Sequence, residues 1–146
     1  GQAERHLAAL SLAQAGLPAM DEAEALAEVL EHVDRTLADA DGRWVLAAHP
    51  EGATEWSLTA LDEAGALQQL VLDRRFRDAE TGEHWIIDYK TSRPLPGESR
   101  AAFEVRETGA HGAKLAAYRE ALAAMVDGPV RTALYFTALG RLLRFP

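Results

Sequence analysis

Two side chains near the end of one apolar run can do chemistry together. In Trp85-Ile86-Ile87-Asp88-Tyr89-Lys90-Thr91 a carboxylate and an ammonium stand two residues apart. Successive side chains of a strand point to opposite faces, so Asp88 and Lys90 share one face while Trp85, Ile87 and Tyr89 share the other. A carboxylate holds a divalent cation through oxygen, and a lysine one pleat along can orient or polarise a water beside that cation. The same pair also suits a solvated, salt-bridged sheet face, and the triplet by itself does not separate the two readings.

Upstream acids extend the pattern. Leu70-Val71-Leu72-Asp73-Arg74-Arg75 is a second β-rich run that delivers Asp73 after an apolar stretch, and the turn Asp78-Ala79-Glu80-Thr81-Gly82-Glu83 leads from it to the Asp88 run. Two strands joined by a short glycine-containing turn make a hairpin, so Asp73 and Asp88 are expected near each other on neighbouring strands. Thr54-Glu55-Trp56-Ser57-Leu58-Thr59 offers Glu55 on a preceding strand, ended by the turn Asp62-Glu63-Ala64-Gly65. Three carboxylates are thereby expected to converge, a hard-oxygen set of the kind Mg²⁺ prefers.

Glu55 on one strand, Asp73 on the next, Asp88-Tyr89-Lys90-Thr91 on the third and a following helix with Tyr118 resemble the RecB-type nuclease domain of the PD-(D/E)xK superfamily. Such domains sit at the C-terminus of UvrD/Rep-like helicases, in RecBCD-type and AddAB-type helicase-nucleases. The resemblance runs from about His6 to the strand Leu134-Tyr135-Phe136-Thr137 and is centred on Asp73 to Lys90. It implies a restriction-endonuclease-like α/β core, with a mixed central sheet flanked by helices, and exonuclease-type, metal-dependent hydrolysis of DNA phosphodiesters. It also implies roles for particular residues. Asp73, Asp88 and the backbone carbonyl of Tyr89 ligate Mg²⁺, for which Mn²⁺ substitutes; Glu55 completes the shell directly or through water; His6 lines the site or touches the metal. Lys90 positions the attacking water and stabilises charge developing on the phosphate. The implied partners are single-stranded DNA or a duplex end, a helicase domain in the same chain and a partner subunit, in DNA repair or recombination. The family's helix carries Gln-x-x-x-Tyr, whereas this chain reads Lys114-Leu115-Ala116-Ala117-Tyr118, and the Gly usual three residues before Asp73 is Leu70. Lys114 and Tyr118 are therefore expected to touch nucleic acid or to support the metal ligands from behind. A catalytically silent module with a structural or DNA-guiding role in a helicase complex is the alternative, and an unrelated α/β domain with a salt-bridged sheet face is a third.

Composition bounds these readings. The 146 residues, 48% of them hydrophobic, suffice for one core and are too few for two ordinary domains. There is no Cys, which excludes disulfides, thiolate zinc sites and a Cys nucleophile. No run approaches a membrane span and no leader resembles a signal peptide, so no membrane partner is expected and a cytoplasmic location follows by default. The chain does not begin with Met, which fits a piece of a longer helicase-nuclease. A net charge of −8 argues against a self-sufficient DNA binder, because phosphate neutralisation dominates nucleic-acid affinity. Arg74, Arg75, Arg77, Arg93, Arg100 and Arg106 offer a basic middle, and delivery of the strand by a tethered helicase answers the objection. The chain has 13 Arg and two Lys, and both lysines fall in the segments matched to the active-site motifs. A compact ammonium orients water in a way a delocalised guanidinium does not.

The elements that must position these residues read as follows. An Ala-rich helix covers Gln2 to Ala15 and stops at Gly16-Leu17-Pro18. A second runs from Asp21 to Ala40, with Asp21 as N-cap, Gly42 past its end and a core stripe of Leu26, Val29, Leu30, Val33 and Leu37. Strands follow at Trp44 to Ala48, Glu55 to Ala60, Ala66 to Arg77 and His84 to Thr91. Ser92 to Gly112, with Pro94, Pro96 and Gly97, reads as a long mobile connection. A helix from Ala113 to Val126 then leads through Asp127-Gly128-Pro129 into strands Val130 to Ala138 and Leu142 to Phe145. His49, His84 and His111 lack metal-ligand spacing and read as structural or exposed.

Overall fold

In the computed structural model of the chain the described residues are 22–61 and 64–146. The expected helix at Gln2 to Ala15, its His6 and the cap at Asp21 lie outside them. The described part is α/β, with α1 (Glu22–Ala38), α2 (Ala40–Leu46), β1 (Ala53–Leu61), β2 (Leu67–Arg77), β3 (His84–Lys90), α3 (Arg100–Ala123), β4 (Val130–Phe136) and β5 (Arg141–Phe145). The five strands form one sheet in the order β1-β2-β3-β4-β5. β1 with β2 and β2 with β3 are antiparallel. β3 and β4 run parallel, since the His84 amide donates to the Pro129 carbonyl at one end and the Thr137 amide to the Lys90 carbonyl at the other. The sheet is therefore mixed, with α3 as the crossover between its parallel neighbours. No helix among the described residues is long and apolar enough to cross a membrane.

The chain divides into two compact units. One contains α1 and α2 with residues 89–98 and 134–142; the other contains residues 48–88, 99–133 and 143–146.

In the first unit the expected Asp21 to Ala40 helix is present as α1, and the strand expected after it is replaced by a second helix, α2. α1 stops at Ala38 because Asp39, in extended backbone, caps α2: its Oδ2 accepts from the Gly42 amide at 2.9 Å. Arg43 closes the other end of the break by donating to the Leu37 and Ala38 carbonyls at 2.9 and 2.8 Å. Trp44-Val45-Leu46 is thus helical. A short apolar run carries no period of its own, and the cap decides. The expected leucine stripe is also rotated: Val29 and Val33 are buried, but Leu26 and Leu30 are 58% and 55% exposed, and Leu37 is exposed too. Two polar residues take the inward positions. The Thr36 hydroxyl donates to the His32 carbonyl at 2.7 Å, and His32 Nδ1 lies 3.1 Å from Thr137 Oγ1. A buried polar group is tolerated when it is hydrogen-bonded, and hydrophobicity alone does not reveal such positions.

In the second unit the expected mobile connection is mostly helix. Ser99 caps α3, its hydroxyl accepting from the Ala102 amide at 3.2 Å. The helix then runs through Gly109 and Gly112, each of which costs about 1 kcal/mol relative to Ala. A buried stripe of Phe103, Glu107, Leu115, Tyr118 and Leu122, with the half-buried His111 between Glu107 and Leu115, overrides that cost. Glu107 and His111 interrupt its apolar character, which hides the period in the sequence.

Two predictions follow from the first unit. A Cβ on Gly42 would collide with the Thr36 carbonyl and the Tyr135 hydroxyl, and the hydroxyl itself donates to the capping Asp39 at 3.2 Å. Gly42→Ala should cost about 3 kcal/mol, the upper range for overpacking, and lower the melting temperature by on the order of 10 °C. A shift below about 2 °C would show that these groups can retreat. The second concerns His32. Burial lowers its pKa, Arg93 and Arg35 push the same way, and Glu28 and Glu31 oppose them. The unfolded chain, with His near 6.5, binds the proton more readily, so the stability present above about pH 6.5 is lost as pH falls through that value toward the lower folded one. Thermal melts between about pH 7.5 and 5.5 should therefore fall less steeply for His32→Asn than for the parent. Parallel profiles would place the pH sensitivity elsewhere.

Candidate active site

The turn after β2 fixes which acids meet. Asp78 Oδ1 accepts from the Glu80 and Thr81 amides at 2.8 and 2.9 Å, and its carbonyl accepts from Gly82, whose φ of 74° suits glycine. The ladder that leaves this turn pairs Arg77 with His84, Phe76 with Trp85, Arg75 with Ile86 and Arg74 with Ile87. Extending that register by one step sets Asp73 opposite Asp88, and opposite residues on paired strands share a face. Asp88 is 3% exposed and Asp73 is half-buried.

Glu55 lies in the same row, since Thr54 pairs with Arg74 and Trp56 with Leu72. Its backbone is left-handed, with φ 47°, at the point where the β1–β2 ladder skips a pair, and its side chain is exposed. A non-glycine residue there stores on the order of 1–3 kcal/mol of strain. Among the described residues no three His, Asp or Glu side chains gather closely enough to hold a metal ion.

Lys114 stands against Asp88. Its Nζ lies 3.8 Å from Asp88 Oδ1 and 5.3 Å from the centre of the Tyr118 ring, one turn along α3. The burial of Leu115 and Tyr118 sets the rotation of the helix, and Lys114 flanks them with its side chain 48% exposed. Burial works to lower the Lys114 pKa, but Asp88, Tyr118 and Asp73 together hold it above the ordinary lysine value. Two facing carboxylates repel. An ammonium near both offsets that repulsion, at about 1 kcal/mol for a pair this open to water.

Tyr89 and Lys90 belong to the first unit. The Tyr89 ring is buried and meets Tyr135 edge-on at 6.4 Å. The Lys90 side chain is half-buried, and its carbonyl accepts from the Thr137 amide at 2.9 Å and from the Thr137 hydroxyl at 3.4 Å. The His32 contact to that hydroxyl completes a polar chain ending on the Lys90 backbone. His32 escaped sequence reading because nothing in its spacing marks it; its partner is 105 residues away.

Other polar groups are spoken for. His84 is buried, with Nε2 3.1 Å from the Asp127 carbonyl, and His49 stacks on Phe76 at 4.1 Å. Glu107, only 2% exposed, pairs with Arg106 at 2.5 Å and with His111 at 3.4 Å. Arg75 lies over the Trp56 ring at 4.2 Å, Arg77 is 3.4 Å from Glu51, and Arg100 donates to Glu104 at 2.8 Å. Much of the expected basic footprint is thus engaged within the chain.

The donor set formed by Asp73 and Asp88, with the Tyr89 carbonyl next in the chain, consists of hard oxygens. No protein-family model matches the chain, and no curated protein matches it in sequence.

The Lys114–Asp88 pair can be read directly. The chain has only two lysines, so labelled lysine side chains give signals that single substitutions assign. In Asp88→Asn the Lys114 pKa should fall back toward about 10.4, the ordinary lysine value. An unchanged titration would show that the pair does not form in solution.

Proposed function

We propose that this chain is a divalent-metal-dependent DNA nuclease domain of the RecB type within the PD-(D/E)xK superfamily, hydrolysing phosphodiester bonds in the manner of an exonuclease. The observation that supports the reading is the antiparallel β2–β3 pairing, with Asp73 on one strand, Asp88 on its neighbour and Lys90 two residues beyond Asp88.

Asp73 and Asp88 are the residues to hold Mg²⁺ or Mn²⁺, with the Tyr89 carbonyl beside them and Glu55 and His6 as further candidates. A bound divalent ion supplies Lewis acidity and a water acidic enough to attack near neutral pH. Lys90 orients that water and offsets charge developing on the phosphate. The half-exposed Lys114 and the Tyr118 beside it extend the positive and aromatic surface along α3 toward nucleic acid. The net charge of −8 and the internally engaged arginines favour delivery of single-stranded DNA or a duplex end by a helicase domain, with a partner subunit, in cytoplasmic DNA repair or recombination.

One observation favours a second reading. Lys114 stands at Asp88 where a metal's charge belongs, and Glu55 is exposed, which suits a silent module that guides DNA inside a helicase complex.

Activity separates the two. With Mn²⁺ and labelled single-stranded or blunt duplex DNA, the parent should cleave, and Asp73→Ala and Asp88→Ala should abolish cleavage. Lys90→Ala should keep its Mn²⁺ affinity yet lose on the order of a hundredfold in turnover. Cleavage that survives both Asp substitutions would disprove the assigned site, and a parent that neither binds Mn²⁺ nor cleaves would leave the silent module standing.

A further inference from the structure

We infer that β1 is a contact edge through which two copies of this chain pair, strand against strand about a twofold axis. The surface is one that the nuclease reading does not use.

β1 ends the sheet order and has a neighbour on one side only among the described residues, so a row of its backbone N–H and C=O groups faces outward. Sheet edges are ordinarily guarded against such pairing by short length, charged side chains, prolines or bulges. The opposite edge, β5, is guarded in this way: it is five residues long and carries Arg141 and Arg144. β1 has a guard at one end, the left-handed Glu55 where the ladder skips a pair. Beyond it Trp56-Ser57-Leu58-Thr59-Ala60-Leu61 pairs without a break against Leu67 to Leu72. Neither run contains a charge, a Pro or a Gly, in a chain 26% of whose residues are charged. One face of this hairpin is also open to water. Ser57 pairs with Val71, Thr59 with Gln69 and Leu61 with Leu67, and all six are exposed, Leu61 to 66% and Leu67 to 76%.

Charge selects a second copy as the occupant. Two chains of net charge −8 repel each other over most of their surface, and the uncharged run of β1 is where that repulsion opposes contact least. Antiparallel strands related by a twofold axis satisfy each other's backbone groups, and such an interface closes as a dimer because each copy contributes the same edge. An axis through Thr59, the middle of the stretch 57–61, sets Ser57 opposite Leu61 of the second copy and Leu58 opposite its Ala60. Only uncharged side chains then meet, and the exposed Leu61 gains cover.

Sedimentation equilibrium of the whole chain from about 10 µM to about 1 mM should show a monomer–dimer equilibrium. The dimer should tighten as salt is added, since salt screens the repulsion between two negative chains and leaves backbone pairing in place. Thr59→Lys sets two ammoniums opposite each other at the axis and should weaken the dimer by on the order of tenfold or more, with the melting temperature of the monomer unchanged because Thr59 is exposed. The chain has no Cys, so Thr59→Cys places one thiol per copy at the axis, where paired Cα atoms lie about 4.5–5.5 Å apart and within disulfide reach. Mild oxidation should therefore link two copies of Thr59→Cys, and should not link Val105→Cys, whose position on α3 is 73% exposed. If Thr59→Lys does not fold, the two cysteine variants decide by themselves. A parent that stays monomeric throughout would overturn the inference and leave the edge to a strand of another protein. A dimer that Thr59→Lys leaves intact, a dimer that salt disrupts, or cross-linking of Thr59→Cys no faster than of Val105→Cys would overturn it as well. None of these outcomes bears on the nuclease reading, so the two can fail separately.

Discussion

Asp73 and Asp88 are set on neighbouring antiparallel strands by the β2–β3 hairpin. The Asp78 turn satisfies its own backbone through one carboxylate, and four consecutive pairs carry the register up to the two acids. Like charges directly opposed on neighbouring strands destabilise a sheet unless something positive lies between or beside them. In this chain that something is Lys114, and its position depends on where α3 lies, which depends in turn on burying Phe103, Leu115, Tyr118 and Leu122. The charge balance of one side-chain pair thus ties the helix to the hairpin.

A similar dependence governs Lys90, through neutral contacts. The β3 strand ends where its last carbonyl accepts two donors from Thr137, and the Thr137 hydroxyl is itself engaged by His32. Burial lowers the His32 pKa and so favours the neutral ring, in which one nitrogen can accept while the other donates. The inward face of α1 is therefore partly polar, and its leucines face outward. The same logic recurs on α3, where Glu107 sits inside the buried stripe with Arg106 and His111 as its partners.

Electrostatics also shapes what the chain does alone. Arg75 and Arg77 spend their charge on Trp56 and Glu51, and Arg100 and Arg106 on neighbouring glutamates. A guanidinium stacked or paired inside its own chain offers less to phosphate than a free one.

The sequence by itself determined the part of this protein that rests on local rules. The period of two in the Asp73 and Asp88 runs, and the glycine-containing turn between them, specified the hairpin of β2 and β3. Strand order, the strand at Trp44 that became a helix, the helix through Gly109 and Gly112, and the exposed leucines of α1 were decided by tertiary structure. Each turns on a cap or on a buried polar group whose partner lies far along the chain: Asp39 with Tyr135, His32 with Thr137, Lys114 with Asp88. Periodicity registers hydrophobicity, not the satisfaction of a polar group by a distant partner. Glu55 shows the same limit, because its place in the row was legible but its left-handed backbone, which leaves it exposed, was set by how β1 meets β2.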